Sequence, residues 1–234
     1  MKITILACSL LLCLFAIQQS YGQDWANLKR YEKENAQLAA PAFNENRVVF
    51  MGNSITEGWL RVHPSFFEGK PYVDRGISGQ TTPQMLLRFR QDVIDLKPSI
   101  VVILAGINDI AQNTGPITLQ ETAGNIFSMA ELAKAHGIKV IMCTVLPASD
   151  FSWKPGMNPG SKVVQLNTLL STYAKQHNIP FVDYYMPMVN DSLGLKKELG
   201  EDGVHPNEKG YVIMEPLVEK VITNLSNKQS KKLK

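Results

Sequence analysis

Between residues 47 and 222, short runs that are apolar at nearly every position alternate with longer stretches whose apolar positions recur at helical spacing. Residues 47–51, 71–74, 100–105, 139–144 and 179–183 read as five strands. The clearest is 100–105, which is rich in β-branched residues and stops at Gly106. Helical spacing predicts helices over 82–96, 118–136, 161–177 and 208–224. Thr81 or Thr82 caps the first of these with Pro83 in its opening turn, Gly137 closes the second, and Pro216 kinks the last. A more polar helix is predicted over 24–39, with Trp25, Leu28, Tyr31 and Leu38 near one face and Pro41 ending it. Strands apolar on both faces, alternating with helices, imply a parallel sheet covered on both sides. With right-handed crossovers this is a three-layer α/β/α, flavodoxin-like doubly wound fold of about five strands.

The two ends depart from this alternation. Lys2 precedes an almost entirely apolar run over 3–17, and Ser20-Tyr21-Gly22 places small residues where a signal peptidase reads them. The run is shorter than the roughly 20 residues a span needs, so residues 1–22 are expected to be a cleaved export signal. The remainder, 23–234, suits one domain of a secreted or periplasmic protein. With the signal gone, Cys143 is the one cysteine left, and its apolar surroundings over 140–145 mark it as a buried small hydrophobe. The formal net charge of +3 owes much to Lys228, Lys231, Lys232 and Lys234, in a tail (226–234) expected to be disordered and solvated. No basic stripe with interleaved aromatics is present, so nucleic acid is not an expected partner.

In open α/β sheets, ligands bind beyond the carboxyl ends of the strands, and the polar residues of interest fall there. Ser54 follows the first strand and Gly52; it serves either as a nucleophile at a helix N-terminus or as a simple N-cap. Gly79 follows the second strand and either offers an unobstructed N–H or closes a turn. Asn108 follows the third and either donates its amide N–H to a substrate or caps a turn, while Asp109 is expected to cap the segment after it. Asp202 and His205 lie three apart, a spacing that lets the carboxylate fix one imidazole nitrogen and leave the other free as a base. His136 and His177 end helices, and His63, with no partner in sequence, is assigned to the surface. No metal-ligand cluster is evident.

Taken together and in this order, the segments Gly52-Asn53-Ser54-Ile55-Thr56, Ile77-Ser78-Gly79, Gly106-Ile107-Asn108-Asp109 and Asp202-Gly203-Val204-His205-Pro206 resemble the blocks of the SGNH hydrolases, also called the GDSL family. The resemblance spans about residues 47–222. Asn53 stands where aspartate is usual, and Asp74 where asparagine often opens the second block. The resemblance implies a serine esterase with no metal or organic cofactor. In it Ser54 is the nucleophile, His205 the general base and Asp202 its orienting carboxylate. The Ser54 N–H, the Gly79 N–H and the Asn108 side chain form the oxyanion hole. It further suggests the carbohydrate acetylesterase or platelet-activating-factor acetylhydrolase branches, hence a short acyl ester, O-acetyl on a glycan. Trp59, Phe151 and Trp153 are candidate stacking faces for a sugar, each alternatively a packing residue. A lipid acylhydrolase of lysophospholipase or thioesterase type, an acyltransferase, and a non-catalytic binding module are the other readings.

Overall fold

A computed structural model describes residues 23–232; the export-signal reading of 1–22 lies outside them. Strands β1 (Val48–Gly52), β2 (Tyr72–Gly76), β3 (Ile100–Leu104), β4 (Lys139–Cys143) and β5 (Phe181–Val182) form one parallel sheet in the order β2-β1-β3-β4-β5. This is the flavodoxin-like order, in which the chain reverses direction across the sheet between β1 and β3. The central strands β1 and β3 are buried at every position, which explains their uninterrupted apolar runs.

The helices are α1 (Glu32–Gln37), α2 (Ser54–Val62), α3 (Thr82–Asp92), α4 (Ile107–Ile110), α5 (Leu119–Ala135), α6 (Gly160–Gln176), α7 (Tyr185–Met188) and α8 (Glu208–Lys232). Right-handed crossovers set α3, α5 and α6 side by side on one face and leave α2 and α8 to the other. On that second face Trp59 of α2 stacks on Tyr211 of α8, with centroids 5.4 Å apart, and on Phe66, at 4.8 Å, above Phe50 of β1. Thr81 caps α3 and Thr118 caps α5, each in a reciprocal capping box with the residue three along.

Several boundaries differ from the sequence reading: the helix over 82–96 ends at Asp92, and the strand over 179–183 shortens to Phe181–Val182. The predicted helix over 24–39 is helical only in α1: Asn27 takes a left-handed conformation (φ 53°), and Asp24 turns its carboxylate onto the N–H groups of Leu28 and Lys29. The closing helix runs to Lys232, beyond the expected end at Asn224.

Candidate active site

The register of the sheet assembles the site. Gly52 of β1 pairs with Gly76 of β2 on one side and with Leu104 of β3 on the other, so three loops leave the sheet at one level. Ser54, Gly79 and Asn108 follow within a few residues and line one cavity of about 420 Å3, together with His205 and Trp153. Gly76 is required here by close approach, because a Cβ would collide with Glu57 N and Asn53 O of the adjoining turn.

Ser54 is the first residue of α2, so its N–H has no intrahelical partner and the positive end of the helix lies at its side chain. Gly79 has φ 78°, a conformation that favours glycine, and its N–H is likewise unbonded among the described residues. Asn108, 3% exposed, donates one amide hydrogen to Gln80 O at 2.9 Å; that bond orients the amide and leaves its second hydrogen available. Three N–H donors therefore border the space beside the Ser54 hydroxyl.

The other half arrives from a distant stretch of chain. Ser54 Oγ lies 2.8 Å from His205 Nε2, and His205 Nδ1 lies 2.5 Å from Asp202 Oδ2. A carboxylate only accepts, so Nδ1 carries the proton and Nε2 presents its lone pair to the serine hydroxyl. The other oxygen, Oδ1, accepts the backbone N–H groups of Val204 and His205 at 3.0 and 2.8 Å. Partial burial pushes the Asp202 pKa up, but the bonds from His205 and Val204 outweigh it and hold the group below the usual carboxylate range. The contacts form a continuous path for moving a proton off Ser54.

The three candidate stacking residues separate. Trp153 is 44% exposed, lines the cavity, and sits 6.0 Å from the His205 ring. Trp59 and Phe151 do not face it and are corrected to packing residues. Trp59 is enclosed by the aromatic cluster with its Nε1 donating to Glu215, and Phe151 is buried beneath Trp153, the two stacked at 5.0 Å. Asp109 caps α3 rather than the segment after it: its carboxylate accepts Thr82 N at 3.0 Å and Thr82 Oγ1 at 2.6 Å, joining two of the site's loops. His63 is not a free surface residue, since its Nδ1 meets Glu215 at 2.5 Å. Asn53 is buried and its amide atoms have no hydrogen-bond partner; with none for a carboxylate either, a neutral side chain is the less costly occupant.

Two contributors escaped the sequence reading. Asn113 donates to Gly79 O at 3.2 Å and accepts from Trp153 Nε1 at 3.3 Å, so it ties the glycine loop to the tryptophan. Arg88 is fully buried; it pairs with Asp92 at 3.0 Å and donates to Gly52 O at 2.9 Å and to Gln80 at 2.5 Å. It thereby braces the end of β1 against the loop that orients Asn108. Neither side chain belongs to a motif; Arg88 and Asp92 have the spacing of a helical ion pair, which does not mark them as buried.

Residues 50–213 match the family model of the GDSL-like lipase/acylhydrolase family. A solved structure of a GDSL-like lipase from Bacteroides thetaiotaomicron is similar at 54% identity and a TM-score of 0.83, covering 85% of this chain and 98% of that one. An acetylxylan esterase from Xylanibacter ruminicola is 25% identical across 79% of this chain and 45% of its own length. The chain thus spans under half of that relative. Esterase TesA from Pseudomonas aeruginosa is 28% identical across 67% of this chain and 73% of its own.

Proposed function

The chain belongs to the GDSL-like lipase/acylhydrolase family, a family of carboxylic-ester hydrolases, and from that premise we propose that it removes short acyl groups, O-acetyl above all, from a carbohydrate. One observation carries the reading: an unbroken Ser54–His205–Asp202 path opens on a cavity bordered by three unengaged N–H donors. Ser54 Oγ attacks the ester carbonyl while His205 Nε2 takes its proton. The oxyanion forms against the N–H groups of Ser54 and Gly79 and the Asn108 amide, positions that cost no reorganisation as charge develops. His205 then protonates the leaving alcohol. Water, activated by the same nitrogen, releases the acid.

The preference for a short acyl group rests on the cavity wall. Of the residues lining it, Trp153 is the one large apolar side chain, and Arg61, Ser78 and Asn113 make up much of the remainder. A long hydrocarbon chain would gain little burial there, whereas a sugar ring can stack on Trp153 and hydrogen-bond to its neighbours. The acetylxylan esterase relative supports the same substrate class. We further propose a single domain over 23–234, exported by means of residues 1–22.

Hydrolysis of a p-nitrophenyl ester series by purified 23–234, beside Ser54→Ala, tests the reading. Activity should fall with acyl length and drop by about six orders of magnitude in kcat in the variant. Activity rising from acetate to octanoate would redirect the assignment to lipids.

A further inference from the structure

The Gly79 N–H belongs to the tip of a four-residue turn, Ile77 to Gln80, closed by the Gln80 N–H donating to Ile77 O at 3.3 Å. The core fixes both ends of this turn. The Ile77 N–H donates to Gly52 O at 3.2 Å. Gln80 is buried; its side chain donates to Ala26 O at 2.7 Å and accepts from Arg88. Ser78 and Gly79, between these anchors, are exposed. The donor peptide joins those two residues, so anchors at the ends do not by themselves fix where its N–H sits.

Two contacts hold the tip, one on each side of the donor peptide. Asn113 donates to Gly79 O at 3.2 Å from the loop after α4. Glu57 Oε2 accepts the Ser78 N–H at 2.9 Å and also the Ser78 hydroxyl. Glu57 lies on α2 one turn after Ser54, and among the described residues it is the only member of that helix that hydrogen-bonds the turn. It can reach because Gly76, lacking a Cβ, lets the end of β2 lie against the first turn of α2. Its other oxygen, Oε1, accepts from Arg30 at 3.3 Å. Arg30 in turn lies over the Tyr31 ring, whose hydroxyl donates to Gly76 O. Partial burial pushes the Glu57 pKa up, but the bonds from Ser78 and Arg30 outweigh it and hold the group below the usual carboxylate range. Glu57 is therefore an ionised acceptor, the kind that forms the stronger hydrogen bonds, and Arg30 offsets a charge that would otherwise oppose an oxyanion nearby.

We propose that Glu57 is a positioning residue for ester hydrolysis: through Ser78 it sets the Gly79 N–H at a fixed place relative to Ser54, so that nucleophile and donor meet the same carbonyl group. This role rests on the esterase reading above, with Gly79 as an oxyanion donor. Glu57 does not line the catalytic cavity, so it acts through the turn and not on substrate. The nucleophile and the carboxylate that places the donor ride on one helix, so any shift of α2 carries both together. The benefit falls in the transition state, because the oxyanion exists only there and in the adjoining tetrahedral intermediate.

The experiment measures p-nitrophenyl acetate hydrolysis and inhibition by trifluoroacetone for wild type, Glu57→Ala and Glu57→Gln, with urea unfolding of each to confirm that it is folded. Ser54 Oγ adds to the ketone carbon, the serine proton passes to His205, and the carbonyl oxygen becomes an oxyanion; the adduct therefore reports the donors with no leaving group involved. Glu57→Ala should lower kcat about 10- to 100-fold with KM little changed, the range expected when a group is slightly misplaced. Affinity for trifluoroacetone should fall by a similar factor. Glu57→Gln keeps an oxygen that accepts the Ser78 N–H and should recover most of both losses. An unchanged kcat in folded Glu57→Ala would overturn the positioning role and leave the esterase reading intact. So would a loss of kcat without a loss of ketone affinity, or a loss that Glu57→Gln shares in full. Wild-type hydrolysis that survives Ser54→Ala would instead overturn the esterase mechanism, and the positioning role with it.

Discussion

The two halves of the site are held by different means. The half bearing Ser54, Gly79 and Asn108 grows from three neighbouring strands paired in register, and its supports are buried: Arg88 with Asp92, and Asp109 with Thr82. The half bearing Asp202 and His205 is a loop before α8 whose two side chains remain 37% and 38% exposed, and the bonds that shape it come from Asp202 itself. A base needs only to reach one hydroxyl, which a short self-bonded turn can do. Oxyanion donors must be fixed relative to one another, because their value lies in needing no rearrangement when charge appears. Preorganisation is therefore built into the core, and proton transfer is left at the rim.

That contrast predicts a separation of activity from stability. Asp202→Asn should lower kcat by about four orders of magnitude, through loss of the correct imidazole tautomer, and change folding stability by about 1 kcal/mol or less. Ester hydrolysis and urea unfolding on one preparation measure both; a large loss of stability would make the loop part of the core. Arg88→Met should do the reverse. It strands Asp92, Gly52 O and Gln80 without their buried donor, and the expected loss is about 3–5 kcal/mol. An unfolding midpoint like that of wild type would show that the buried brace contributes nothing, and the contrast would fail.

The same division governs what could be read from the chain. Ser54, Gly79, Asn108 and His205, which line the cavity, could be singled out because each follows a strand or precedes a helix, and Gly52, Gly106 and Pro206 mark the break near three of them. All five predicted strands are present, since burial on both faces leaves an unmistakable apolar run. What was illegible depends on contacts between distant residues. Trp59 and Phe151 look in sequence like Trp153; tertiary packing alone buries two and exposes the third. His63 meets Glu215 from 152 positions away. Arg88 has its ion-pair partner Asp92 one turn along the same helix, but such a pair is solvated by default, and its burial follows from Gly52 O, which the fold brings to it from 36 positions away.

Asp109 sharpens the comparison through pH. Burial raises its pKa from the ordinary 3.8 to about 6, against the opposing pull of the Thr82 hydroxyl and the Thr82 and Asp109 N–H groups. A carboxyl raised on folding binds its proton more tightly in the native state, so its favourable contribution is complete below the unfolded value. That contribution is lost as pH climbs from about 4 through about 6, with a total of about 3 kcal/mol. Asp109→Asn removes the titration and retains an oxygen that accepts from Thr82. The stability of wild type relative to this variant should therefore fall between pH 4 and pH 6.5 and then level off, as followed by urea unfolding at fixed ionic strength. In the rim half the sign is opposite. Asp202 is held below its ordinary value, so the stability it contributes is present at neutral pH and lost on acidification. A wild-type-minus-variant difference for Asp109 that is flat across this window, or that rises with pH, would mean that its bonds to Thr82 outweigh its burial. The nucleophile half would then respond to acid as the rim half does.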